Sequence, residues 1–95
     1  MNELKFDEPV IYVGPNILSY DVMQFQSYIN GLPEFVLRAI EKIPEIKIML
    51  VAASELEKMR AKIADTSTYE NRIFKKIQKT ADEIRRNKTH KKEGI

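Results

Sequence analysis

The stretch from Asn30 to Val51, NGLPEFVLRAIEKIPEIKIMLV, constrains the fold more than any other part of the chain. Asn30-Gly31 is a turn signal, and Leu32-Pro33-Glu34 starts a helix. Proline suits the first helical position and an acid suits the positive end of the helix dipole. Val36, Ala39, Ile40 and Ile43 recur at helical spacing, widened by Phe35 and Leu37, while Arg38, Glu41 and Lys42 face away. Pro44 disfavours helical geometry at Ile43 and ends the run. The near-continuous apolar segment Ile46–Val51 then predicts a central strand buried on both faces. Strands flanking this helix would make a right-handed crossover if they were parallel neighbours.

Upstream, Pro9 opens Val10-Ile11-Tyr12-Val13, and Gly14-Pro15-Asn16 closes it, which reads as a strand running into a turn. From Val22 to Ile29 a period-2 pattern places Met23, Phe25 and Ile29 on one side and Val22, Gln24, Gln26 and Tyr28 on a more polar one. This predicts a second strand, antiparallel to the first. Between them, Ile17, Leu18 and Tyr20 are too apolar for a purely solvated loop: they either fold over the core or form a contact surface.

Downstream, Ser54-Glu55-Leu56-Glu57 and Ser67-Thr68-Tyr69-Glu70 both match a capping box. The first predicts a helix to about Ala64 with Leu56, Met59 and Ile63 inward. The second starts the last helix, with Tyr69, Ile73, Ile77, Ala81 and Ile84 on one stripe beside Phe74. That stripe either packs on the body or projects to a partner or a second copy. The expected architecture is α+β in the order β-β-α-β-α-α, a small three-stranded mixed sheet covered by helices and a long basic C-terminal helix. Residues 1–8 are expected to be a loose arm, residues 9–84 one domain, and residues 85–95 a frayed basic tail.

Charge is distributed unevenly. Residues 72–95 carry nine Lys/Arg against three acids, a net of +6, and residues 1–71 carry seven against eleven, a net of −4. Lys75, Lys76, Lys79, Arg85, Arg86 and Lys88, with Lys91 and Lys92 beyond, are candidate phosphate contacts. The bland alternative is a solvated helix, and with no aromatic residue among the charges after Phe74 a base-stacking platform is not indicated. No cysteine is present, which excludes a disulfide framework and thiolate chemistry. The single histidine, His90, lies in the basic tail with no second ligand at metal spacing. Asp7, Glu8 and Asp21 read as surface charge. No catalytic, cofactor or metal site is expected, nor a membrane segment, since the longest apolar run is Ile48–Ala53.

Tyr12-Val13-Gly14-Pro15, Gly31-Leu32-Pro33, Pro44, Ile48–Val51, and Ser54 with Leu56 together resemble a family of small proteins encoded in phages and prophages of Gram-positive bacteria. The resemblance spans about residues 9–80. It implies a non-enzymatic virion component or morphogenesis factor (head, head–tail or tail accessory) found in the virion or the host bacterial cytoplasm. Other phage structural proteins, and a homo-oligomer, are the implied partners. The contact elements would then be Ile17, Leu18 and Tyr20 with Tyr69, Ile73 and Ile77 of the last helix. A nucleic-acid-binding accessory factor and a host-directed inhibitor are the competing classes.

Overall fold

The computed structural model describes the backbone of residues 8–93 and the side chains of residues 8–87. Three strands, β1 (Val10–Tyr12), β2 (Ser27–Tyr28) and β3 (Leu50–Ala52), form a sheet in the order β2-β1-β3. Three α-helices, α1 (Glu34–Lys42), α2 (Leu56–Ala64) and α3 (Tyr69–Glu93), follow in the expected order β-β-α-β-α-α. Single-turn or short 3₁₀ segments occupy Leu18–Tyr20, Pro44–Met49 and Ala53–Glu55.

The α+β class and the long last helix are as expected, but the sheet is not mixed. β1 pairs with β2 through Val10–Tyr28 and Ile11–Ser27, and with β3 through Val10–Ala52, Ile11–Val51 and Tyr12–Leu50, both antiparallel. The strand preceding α2 is therefore an edge strand and, among the described residues, no parallel crossover exists; β1 is the centre. The reason lies in Pro44. It stops α1 and opens the 3₁₀ segment Pro44–Met49, so the apolar run enters the sheet only at Leu50. Three residues per turn puts Ile43, Ile46 and Met49 on one line, and all three are buried.

The second strand is shorter than expected and its sides are exchanged. Val22 and Tyr28 are buried, whereas Phe25 and Ile29 are exposed. Phe25 has a φ of 68°, which no regular strand tolerates. Tyr12 N–H donates to the Gln26 carbonyl at 3.0 Å, while Phe25 N–H donates to the Tyr12 carbonyl at 2.6 Å. Two residues thus oppose one, a bulge, and alternation does not carry across it.

The core joins Tyr12, Val13, Ile17, Val22, Val36, Ala39, Ile43, Ile46 and Met49 to Ile73, Ile77 and Ala81 of α3. α3 lies across α2, the 3₁₀ segment Pro44–Met49 and the turn Leu18–Tyr20. From Ile73 to Ile84 its apolar stripe packs on the body, while Tyr69 at its start is exposed. Burying each of these isoleucines stabilises by roughly 1.5–3 kcal/mol.

The caps differ from the expected boxes. Ser54 caps no helix: its amide and hydroxyl donate to the Glu8 carboxylate at 3.3 and 3.2 Å. Glu8 therefore ties the entry of β1 to the exit of β3. At α3 the cap is Thr68, one residue later than Ser67. Its hydroxyl accepts from Asn71 N–H at 3.0 Å and has two acceptors for its own proton, the Lys62 carbonyl at 2.5 Å and the Asp65 carbonyl at 2.9 Å. Buried Asn71 donates from its side chain to the Ile63 carbonyl at 2.7 Å, satisfying the end of α2. Ser67 donates to the Asp65 carboxylate from both its amide and its hydroxyl, and these bonds, the amide's first, hold that carboxyl below its ordinary range. The backbone of α3 is helical to Glu93. Residues 1–7 of the expected arm, and residues 94–95 of the tail, lie outside those described.

A candidate contact groove

The site is built from the segment between β1 and β2. Leaving β1, the chain turns through Gly14 and Pro15, both buried. The Tyr12 ring folds over Gly14, and its hydroxyl donates to the Pro15 carbonyl at 2.7 Å. A Cβ on Gly14 would lie 2.5 Å from the Tyr12 hydroxyl oxygen and 2.6 Å from Cζ. Gly14 is thus required by the ring above it, whereas positive φ among the described glycines belongs to Gly31, at 112°. Burial first, and the nearby Tyr28 second, hold the Tyr12 hydroxyl protonated well above its ordinary range. Tyr28 shares the inner face of the sheet; its hydroxyl is buried without a hydrogen-bond partner among the described residues.

Ile17 and Val22 then exchange both backbone hydrogen bonds, at 2.7 and 3.2 Å, and close a small loop over Leu18–Tyr20. The closure puts Ile17 and Val22 in the core and leaves Leu18 outside, 53% exposed. Asn16 accepts the Gln24 amide proton on Oδ1 at 2.8 Å, and the Gln24 side chain donates to the Val13 carbonyl at 3.3 Å. These bonds make one rigid wall of Pro15, Asn16, Leu18 and Gln24. α3 supplies the opposite wall: Phe74 and Ala81 form the apolar part, with Gln78, Asp82 and Arg85 at the rim. The open groove between the two walls has a volume of about 320 Å³. Its lining offers amides, one carboxylate and one guanidinium around an apolar strip, groups that recognise by shape and hydrogen bonding.

The candidate contact residues separate clearly. Ile17, Ile73 and Ile77 are core residues and are not available to a partner, which corrects their expected role. Tyr20 is half-buried against the core. Leu18 stands at the groove, while Tyr69, 53% exposed, starts α3 and does not line it. Asn16, Gln24 and Gln78 were not expected there. Nothing in their residue type distinguishes them; only the Ile17–Val22 closure and the Phe25 bulge bring them together.

The candidate phosphate contacts separate too. Lys76 forms an ion pair with Glu45 at 2.8 Å, and Arg85 lies on the groove. Lys75, Lys79 and Arg86 are exposed, and the side chains of Lys88 and His90 lie outside those described. Among the described residues no three His, Cys, Asp or Glu converge as a metal site, and no helix is long and apolar enough to cross a membrane. Comparison with protein-family models, with curated proteins and with solved structures finds no match to this chain.

Proposed function

We propose that this chain is a non-enzymatic phage virion structural or morphogenesis protein, a head, head–tail or tail accessory, acting by protein–protein contact. The observation that carries the reading is the convergence of the Pro15–Gln24 wall and α3 on one open groove with Leu18 half-exposed at its edge. An exposed leucine beside an apolar strip with a polar rim is the composition of a contact surface. The occupant is a segment of another phage structural protein, and the resemblance of the YVGP, GLP and S-x-L elements to phage-encoded proteins supports that choice.

Mass spectrometry of purified virions and of assembly intermediates tests the reading, and absence from both overturns it. Leu18→Glu is expected to abolish incorporation while leaving the melting temperature unchanged, because the side chain is already exposed. Light scattering after gel filtration separates contact with another protein from contact with a second copy.

A further inference from the structure

We propose that the outer face of α3 is a binding surface for the phosphate backbone of duplex DNA, carried by Arg72, Lys75, Lys79 and Arg86. At 3.6 residues per turn these four side chains lie within about 40° of the direction opposite Ile77. They form a stripe about 21 Å long at the helical rise of 1.5 Å per residue. All four are exposed. None forms an ion pair with an acid among the described residues, in contrast to Lys76, which Glu45 neutralises. By the same measure Asp82 lies on the stripe between Lys79 and Arg86 and Glu83 flanks it, so between residues 72 and 87 six cations outnumber two acids. The inner face of the same helix is committed to the core through Ile73, Ile77 and Ala81, which holds the charged face outward and fixes its orientation.

The chemistry of the stripe selects the polyanion. It carries no aromatic side chain on which an unpaired base could stack, which disfavours single strands. It carries no large apolar side chain to enter a lipid headgroup layer, which disfavours a membrane surface. A rigid row of cations without base-reading amides matches the regular phosphates of a duplex and binds without regard to sequence.

The test is a fluorescence-anisotropy titration of the full chain with a random-sequence DNA duplex over a range of salt concentrations. Four phosphate contacts contribute about −3.6 to the slope of log K against log salt. The quadruple variant R72Q/K75Q/K79Q/R86Q is expected to bind about 100-fold more weakly at low salt, with a slope shallower by about 3.6. Its circular dichroism and melting curve should match those of the unaltered chain, because all four side chains are exposed. The paired variant K58Q/K62Q on α2 should bind as the unaltered chain does. Unchanged duplex affinity in the quadruple variant overturns the proposal. So does tighter binding to a single strand of the same length, or to phosphatidylserine vesicles, than to the duplex.

Discussion

Two turns joined by hydrogen bonds solve opposite problems. The turn at Tyr12–Asn16 is closed: its tyrosine, glycine and proline are buried and the tyrosine hydroxyl has its acceptor. The turn at Met23–Gln26 is open: Gln26 N–H reaches the Met23 carbonyl at 3.1 Å, but the residue at its apex is a phenylalanine in left-handed conformation, half-exposed, with the Arg60 guanidinium 5.4 Å from its ring centroid. A left-handed β-carbon costs roughly 1–2 kcal/mol, and turns of this kind usually place glycine or asparagine there. The first turn is shaped by what fits against it. The second keeps a costly side chain at the surface, so packing does not explain the residue chosen. The comparison teaches that glycine is required by neighbours in one turn and would be favoured by the backbone in the other.

The same glycine/alanine exchange should therefore give different results at the two turns. Gly14→Ala places a methyl group inside the Tyr12 ring and is expected to destabilise by about 3 kcal/mol or more, measured by denaturant unfolding. Repeating it in a Tyr12→Leu background should remove most of that penalty. A penalty that persists would trace the requirement to the backbone instead. Next in size, Tyr12→Phe leaves the Pro15 carbonyl without the hydroxyl and should cost about 1–3 kcal/mol.

The same contrast explains what could be read from residues alone. The helices were legible because Pro33, Pro44, Asp65 and the recurring Ile73-Ile77-Ala81 spacing are local signals, and local signals set helix limits. Tyr12-Val13-Gly14-Pro15 was legible as a turn, but not as a ring packed on a glycine, because that needs side-chain positions. The buried sides of Val22–Ile29 were exchanged because alternation assumes an unbroken strand, and Phe25 breaks it with a residue type that does not mark left-handed backbone. The run Ile46–Val51 read as strand by its apolarity; its spacing of three, Ile43-Ile46-Met49, was the available sign of a 3₁₀ segment. The groove was half legible. The loop and α3 were singled out, but Ile17, Ile73 and Ile77 are apolar for the sake of the core, and sequence does not separate an apolar residue that is buried from one that is offered.

At the open turn the expected effects are smaller and of opposite sign. Phe25→Gly should be more stable than Phe25→Ala by about 1 kcal/mol, since alanine keeps the left-handed cost and both lose the ring. Relative to the unaltered chain, glycine gains from the backbone and loses the Arg60 contact, worth about 0.5–1 kcal/mol at an exposed site. Arg60→Gln isolates that contact, and the two variants together separate strain from stacking. If alanine equals or exceeds glycine at position 25, the left-handed geometry is not retained in solution and the contrast between the turns fails.

The Glu45–Lys76 ion pair touches neither turn and supplies the smallest effect, a baseline for the Phe25 measurements. The Lys76 ammonium, and then Glu45's own backbone amide, hold the Glu45 carboxyl below its ordinary 4.5, and Glu45 in turn holds Lys76 above its ordinary 10.5. A depressed carboxyl stabilises the fold above the unfolded value and loses that contribution as pH falls through the folded one. A raised ammonium stabilises below its unfolded value and loses that contribution as pH rises through the folded one. The pair is therefore in force between 4.5 and 10.5 and fades outside that window on both sides. Lys76→Gln should lower the melting temperature slightly at neutral pH, by less than the Phe25→Gly and Phe25→Ala variants differ from each other. The difference from the unaltered chain should shrink as the medium is acidified below 4.5 and as salt is added. The Gly14→Ala penalty, which is steric, should keep its size across the same pH and salt range. A Gly14→Ala penalty that followed pH or salt would mean that charge, and not the Tyr12 ring, sets the closed turn apart from the open one.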